Sequence, residues 1–339
     1  MKKIRVEDAI GETLCHDMTA ILADGFKGVK FPRGHVIREE DIPALLDMGK
    51  AHIFAWEPEA NEVHEDDAAR ALVEVMCGEG VAYSEPSEGK FTILATNEGL
   101  FCINTDALIE INSVDDFTVA CRKSHTAVYT GDKLAGARIV PLVTKQSNVD
   151  AAVKIARENA PVLSVKPFRR LKTGVIITGS EIYNGRIKDC FEEILCAEFL
   201  AFDLPYLGAI VCDDDTQMIL DAIETHRKSG AELILLTGGM SVDPDDLTPG
   251  AIRATGAEIV TQGVPMQPGN MLTIAKLPDV TLVGVPGASM HSAVTSLNVF
   301  LPRILADVEI TKADIARLGN GGLCLNCEVC EFPNGGFGV

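Results

Sequence analysis

Three short segments pair glycine with hydroxyl residues: Thr178-Gly179-Ser180-Glu181, Thr237-Gly238-Gly239-Met240-Ser241 and Pro286-Gly287-Ala288-Ser289. A fourth, Cys212-Asp213-Asp214-Asp215, is acidic. Glycine lets a backbone N–H approach an anion closely and Ser or Thr adds a donor, so such loops can cradle a phosphate. Glu181, Asp214, Asp245 and Asp246 could then hold Mg2+ against that phosphate. Plainer readings stay open. One Thr-Gly or Pro-Gly alone is a turn. Asp213–Asp215 can cap a helix, and Asp245 and Asp246 can open the next one. Neither a phosphate-loop lysine motif nor a complete Gly-x-Gly-x-x-Gly occurs, which argues against ordinary nucleotide hydrolases and dinucleotide enzymes. A second chemistry lies in Cys324-x-x-Cys327-x-x-Cys330, whose thiolates could converge on one Fe-S or Zn centre, although the fourth cysteine of a ferredoxin run is absent. The other reading is a mobile, redox-sensitive tail. His291 reads as structural, opening a helix.

These segments must be held by regular elements. Thr173–Thr178 and Glu232–Leu236 are continuous apolar runs, which suits strands buried on both faces. Strands are also expected at Gly208–Cys212, Glu258–Val260, Met271–Ala275 and Val280–Val285. Helices are expected at Ile187–Phe202, Thr216–Lys228, Thr248–Thr255 and Met290–Ala306. Such alternation predicts a parallel sheet with right-handed crossovers, and ligands bind beyond the carboxyl ends of its strands. All four loops fall there.

Upstream the texture differs. Residues 1–60 read as a small α+β unit with strands Thr19–Leu22, Lys27–Phe31 and His52–Trp56 and a helix Glu39–Met48. Asn61–Asp67 reads as a linker before a helix from about Asp67 to Cys77. Residues 61–168 form a mixed region with strands Phe91–Ala95, Phe101–Ile103, Phe117–Cys121, Ala127–Tyr129 and Ala137–Leu142. Residues 169–310 are the α/β domain, and 311–339 a tail with the cysteine motif.

From about Lys172 to Asp307 the chain resembles the molybdopterin-binding domain of molybdenum-cofactor biosynthesis proteins. The matching pieces are Thr178-Gly179-Ser180-Glu181 and Thr237-Gly238-Gly239-Met240-Ser241-Val242 followed by Asp246. Pro268-Gly269-Asn270 and Val285-Pro286-Gly287 follow in the order of the molybdopterin molybdotransferase branch. The resemblance implies a three-layer α/β sandwich with a mostly parallel sheet that binds molybdopterin, or its adenylylated form, through phosphate and pterin. It makes Thr178, Gly179, Ser180, Thr237, Gly238, Gly239, Ser241, Pro268, Gly269, Pro286 and Gly287 binding residues. Glu181 and Asp246 become its catalytic carboxylates, while Asp214, Asp245 and Asp246 remain the Mg2+ set that the acidic loops themselves suggest. The branch consumes molybdate, uses a divalent ion, releases the nucleotide and leaves molybdenum on the dithiolene.

The chain departs from that branch in places. Asp243-Pro244 stands where glycine and a polar residue are common, and Ala288-Ser289 where Asn-Pro is expected. Residues 1–170 lack the Asn-Ser-x-Met-Asp-Gly-Tyr-like segment of the insertase. Phe31-Pro32-x-Gly34-x-x-Ile37 and Gly131–Gly136 are only faintly like its β-rich regions. Two roles therefore stand side by side: an insertase, or a non-catalytic carrier or regulatory protein that docks to a molybdoenzyme or redox partner through its cysteine tail. Adenylylation of molybdopterin is a third use of such a domain.

Composition sets outer bounds. The net charge of −19 argues against nucleic acid as a partner, since no broad basic surface exists to release its counterions. Aromatics at 5% disfavour stacking platforms for single strands or carbohydrate, while 47% apolar residues suffice for packed cores. No apolar run has a membrane span's length, and the start lacks a signal peptide's apolar core, so the expectation is a cytoplasmic protein with no membrane partner. Seven of ten cysteines are scattered, mostly in apolar stretches such as those of Cys102, Cys196 and Cys212, and read as reduced core thiols. A homodimer sharing a cleft is a further expectation.

Overall fold

The structure is a computed structural model that describes residues 2–21, 25–55, 60–241, 243–244 and 246–338. Contacts divide the chain into two compact units, Met1–Ser124 with Val128–Lys166 and His125–Ala127 with Pro167–Val339. Among the described residues no helix is long and apolar enough to cross a membrane.

The first unit opens with β1 (Lys2–Arg5), β2 (Met18–Ile21), β3 (Lys27–Phe31), α1 (Ile42–Asp47) and β4 (His52–Ala55). β1 pairs antiparallel with β4, and β2 with β3, around a small core that includes Val6, Leu14, Phe31, Ile37 and Leu45. Leu22 and Trp56, expected in flanking strands, lie outside the described residues. Next come β5 (Glu62–His64), α2 (Glu65–Met76), β6 (Val81–Tyr83), β7 (Phe91–Ala95), β8 (Gly99–Ile103) and α3 (Thr105–Asn112). After them stand β9 (Phe117–Cys121), β10 (Thr126–Val128, of which only Val128 belongs to this unit), β11 (Lys133–Ile139), β12 (Val143–Lys145), α4 (Gln146–Glu158) and β13 (Leu163–Lys166).

Strands β6, β7, β11 and β9 form an antiparallel sheet in that order, and its Phe91, Ile93 and Ala137 share a core with Leu72, Met76, Val149 and Ala152 of α2 and α4. Asn61–Asp67 is not a linker. β5 pairs with β12, while Glu65, Asp66 and Asp67 fill the first turn of α2, where free N–H groups favour carboxylates. The acidity thus marks a helix start. The strand expected at Ala137–Leu142 ends at Ile139, ahead of an exposed Val140 and Pro141.

The second unit carries β14 (Thr173–Thr178), α5 (Ser180–Tyr183), α6 (Phe191–Ala201), β15 (Tyr206–Cys212), α7 (Thr216–Lys228) and β16 (Leu233–Thr237). It continues through α8 (Thr248–Ala254), β17 (Glu258–Gln262), β18 (Thr273–Lys276), β19 (Thr281–Gly284), α9 (Ser296–Leu305) and α10 (Lys312–Arg317). One sheet runs β15-β14-β16-β19-β18-β17. β15, β14, β16 and β19 are mutually parallel, as expected. β18 is antiparallel to both neighbours, because only residues 277–280 join it to β19, too few for a crossover.

Side chains alternate between two cores. Val175, Ile177, Leu233, Leu235 and Val283 pack with Leu195 and Phe199 of α6 and Leu297 and Phe300 of α9. Ile176, Ile234, Leu236 and Leu282 pack with Ile219 and Ile223 of α7 and Ala251 and Ile252 of α8. Burial on both faces explains why these strands read as unbroken apolar runs.

Candidate functional site

The carboxyl ends of β15, β14, β16 and β19 lie side by side, so the loops that begin at Asp213, Gly179, Gly238 and Val285 emerge along one end of the sheet. The segment through Pro268 and Gly269 leads into β18, whose first residue Thr273 pairs with Gly284 at the end of β19. It therefore reaches the same end.

Two of the loops are locked together beneath that surface. Thr178 Oγ1 donates to Thr237 O at 3.1 Å, and Thr248 Oγ1 donates to Gly238 O at 2.9 Å. The two hydroxyls approach each other at 3.1 Å. Two protons serve three short contacts, so the carbonyl bonds take the protons and the third contact is a polar approach. All three threonines are buried. Gly238 and Gly239 follow with φ of +82° and +51°, a left-handed pair that side chains resist. A Cβ on Gly238 would lie 2.0 Å from Thr178 O, so this crossing admits only glycine. Met240 then turns inward and fills the space over Gly284, where a Cβ would sit 2.3 Å from Met240 Cε.

The loop after β14 is braced from β15. Ser180 N–H donates to Asp214 Oδ2 at 2.9 Å, and Ser180 Oγ–H donates to Asp213 Oδ1. Asp213 Oδ1 also accepts from Asp214 N–H at 2.9 Å. Asp215 caps α7 by accepting from Met218 N–H at 2.8 Å. The acidic triplet is thus divided between two bracing residues and a cap. The carboxylate of Glu181 folds back over Gly179, whose Cβ would stand 3.0 Å from Glu181 Oε1. Asp246 closes its own turn by accepting from Asp243 N–H at 3.0 Å, ahead of α8. Asp245 and Val242 lie outside the described residues.

The last two segments meet at the start of α9. Ser296 Oγ donates to Gly269 O at 2.6 Å, and Gly269 has φ +105° with Ser296 Oγ 2.5 Å from a would-be Cβ. Thr295 caps α9, its N–H donating to Asn298 Oδ1 at 2.8 Å, while Ser289 Oγ lies 3.2 Å from Thr295 Oγ1. Asn298 Nδ2 in turn donates to Glu198 Oε1 of α6 at 2.8 Å; burial pushes that carboxyl above the usual range. The turn Gly287–Met290 sits between, with open space around Gly287. His291 ends that turn five residues before α9 and does not open the helix.

The structure thus gathers Thr178, Gly179, Ser180, Thr237, Gly238, Gly239, Ser241, Pro268, Gly269, Pro286 and Gly287 at one end of the sheet. The metal expectations fare differently. Among the described residues no group of three or more His, Cys, Asp or Glu side chains is placed to hold an ion. Asp214 accepts the backbone N–H of Ser180 and Asp246 accepts one from its own turn, and Cys324, Cys327 and Cys330 do not converge. Nor is residues 311–339 a mobile tail: Phe337 is buried in the core of the α/β unit, and Phe332 and Cys324 pack against it. All ten cysteines are free; Cys190 is exposed, contrary to a core role, while burial pushes Cys77 and Cys121 up to about 12. Sequence reasoning missed the bracing roles of Thr248, which meets Thr178 across 70 residues, and of Ser296, which meets Gly269 across 27.

Residues 174–306 match the family described as "Probable molybdopterin binding domain", and residues 3–57 match "Domain of unknown function (DUF8806)". The chain is also similar to curated proteins named molybdopterin molybdenumtransferase. One, from Bacillus subtilis, is 29% identical over 155 residues, which is 43% of this chain and 35% of that protein. Another, from Haemophilus influenzae, is 24% identical over 283 residues, 80% of this chain and 64% of that protein. The chain therefore spans between about a third and two thirds of the length of these relatives. Among solved structures, a molybdopterin biosynthesis protein from Pyrococcus horikosii covers 90% of this chain and 74% of its own, at 14% identity and a TM-score of 0.35.

Proposed function

We propose that this protein binds molybdopterin, or its adenylylated form, at the carboxyl end of its parallel strands and acts in molybdenum-cofactor biosynthesis by inserting molybdate into the adenylylated pterin. The observation that carries this reading is the row of glycine and hydroxyl loops on three adjacent strands, β14, β16 and β19, two of them locked by the buried Thr178–Thr248 pair. In this reading the domain is a three-layer sandwich, with α6 and α9 on one face of the sheet and α7 and α8 on the other.

The backbone of Gly238–Gly239 and the turn at Pro286–Gly287 would receive phosphate, where N–H groups fixed before the ligand arrives stabilise its charge without reorganisation. Gly287, with open space about its Cα, leaves room for the ligand to approach the main chain. Asp213 and Asp214 hold the Ser180 loop in place and act as positioning residues. Glu181 and Asp246 are the carboxylates assigned to the reaction: one can orient the attacking oxyanion or water and the other can take up a proton as the nucleotide leaves. Molybdate is the second substrate.

The test is cofactor formation by the purified protein from adenylylated molybdopterin and molybdate. Product with release of the nucleotide supports the insertase. Tight binding without product would replace it with the carrier reading, which the absent insertase-like segment in residues 1–170 favours. Glu181→Gln and Asp246→Asn are expected to cut turnover at least tenfold while leaving ligand affinity within a few-fold. Wild-type turnover in either would remove that residue from the reaction.

A further inference from the structure

The six-stranded sheet ends in β17, whose strand partner among the described residues is β18 alone. The outer edge of a terminal strand presents main-chain N–H and C=O groups that another extended chain can take up. The five residues of β17, at about 3.3 Å each, offer about 17 Å of such edge. Beside it lies α10. Ile315 and the following Leu318 anchor that helix in the core of the α/β unit, and Val260 of β17 packs on the same core. Between strand and helix runs an open groove of about 360 Å³, lined by Ile259–Gln262 and by Lys312, Ile315 and Ala316.

The lining of this groove selects its occupant. Ile259, Val260, Ile315 and Ala316 supply apolar surface, and the charge in the lining is the exposed ammonium of Lys312. The acid carried by α10 is engaged elsewhere: Asp314 accepts from Thr311 N–H at 3.0 Å and pairs with Arg303 Nη2 at 3.3 Å. Glu258, at the start of β17, stands opposite Lys276 of β18. At the other end of the strand Arg253 donates to Gln262 Oε1. A cationic groove on a chain of net charge −19 favours a partner that brings a carboxylate. A second copy of this chain fits poorly. The β17–β18 ladder shifts register between Ile259 and Thr261, and such a bulge turns an edge away from pairing with its own kind. Two chains that each carry −19 also repel. A short flexible segment can follow the kink.

We propose that this groove receives a short extended segment of a partner protein, paired edge-on with β17, with apolar side chains on Val260 and Ile315 and an Asp or Glu facing Lys312. Main-chain bonds to the strand edge supply affinity, and the alternate side chains supply selectivity. None of the groove residues belongs to the glycine loops, so the proposal stands or falls separately from the pterin reading.

The experiment selects displayed random heptapeptides on the full chain, with counter-selection on the Lys312→Glu/Ala316→Trp double variant. Selected peptides, made with a fluorescent label, are titrated by anisotropy. The expected peptides alternate apolar and polar residues, carry an Asp or Glu and bind one per chain. Lys312→Glu and Ala316→Trp change exposed positions and are each expected to weaken binding at least tenfold with a native circular dichroism spectrum. Lys154→Glu, at an exposed lysine of the other unit, is expected to leave binding unchanged. Methylating alternate main-chain N–H groups of the peptide removes ladder bonds without touching side chains, and is expected to abolish binding in one of the two alternations. Failure to select any peptide that tells the wild type from the double variant would overturn the proposal, as would binding that survives both methylation patterns. A concentration-dependent dimer in sedimentation that Ala316→Trp abolishes would overturn it in favour of a second copy.

Discussion

Replacing Gly238 with alanine probes the crossing that holds the first two loops in register. The added methyl would stand 2.0 Å from Thr178 O and 2.7 Å from Thr178 Oγ1, on a backbone at φ +82°. The left-handed conformation costs an L-residue about 1–2 kcal/mol. Relieving the overlap requires the backbone of β14 or β16 to move, for which overpacking typically costs about 1–3 kcal/mol. The expected destabilisation is therefore about 2–5 kcal/mol. Gly250 supplies the control: it lies inside α8, has no positive φ, and a Cβ there meets nothing within 4 Å. Gly250→Ala should be neutral or stabilise the protein by up to about 1 kcal/mol. Urea unfolding followed by far-ultraviolet circular dichroism reads both. A Gly238→Ala midpoint corresponding to less than about 0.5 kcal/mol of lost stability, the usual scatter of surface changes, would refute the geometry of this crossing.

Three further outcomes follow from the same structure. Burial raises the Glu65 carboxyl from 4.5 to about 7, with Arg138 Nη2 at 3.5 Å only partly offsetting it. Because the folded pKa exceeds the unfolded one, this group's contribution is fully present below about pH 4.5 and is lost as pH rises through about 7. Glu65→Gln should flatten that slope and gain at most about 3 kcal/mol at pH 8, read from urea midpoints across pH; an unchanged slope would contradict it. Asp214→Ala removes the acceptor of Ser180 N–H and should weaken pterin binding about tenfold, roughly 1.4 kcal/mol, with the far-ultraviolet spectrum unchanged. Thr178→Val keeps the shape but loses the donor to Thr237 O, and about 1–3 kcal/mol of stability should go with it; a neutral result would mean that the buried pair is not a brace.

How much of this was legible in the sequence depends on the range of the interactions involved. The helix expected at Thr216–Lys228 forms with those limits because its signals are local: Asp215 caps its start, and Ser229 and Gly230 stop it. β14 and β16 were readable because burial on both faces leaves no polar residue to interrupt them. α4 was not, since its buried stripe consists of Val149, Ala152 and Ala156, and alanine carries little hydrophobic signal. The glycine loops could be placed on one end of the sheet by topology alone. Their bracing could not, because Ser180 meets Asp214 across 34 residues and Thr178 meets Thr248 across 70. For the same reason the cysteine spacing was visible, while the anchoring of its segment by Gln267 and Phe337 was not.

The proposed function requires a pterin-phosphate site at the carboxyl end of the parallel strands. Equilibrium titration of the purified chain with molybdopterin and with its adenylylated form, beside a Gly287→Val variant, tests it most directly. Gly287 has open space around it and no positive φ, so the variant should keep wild-type stability while its side chain fills the place the ligand needs. The prediction is saturable binding of one ligand per chain by the wild type and at least tenfold weaker binding by Gly287→Val. No saturable binding by the wild type, or equal affinity in a folded Gly287→Val, would contradict it.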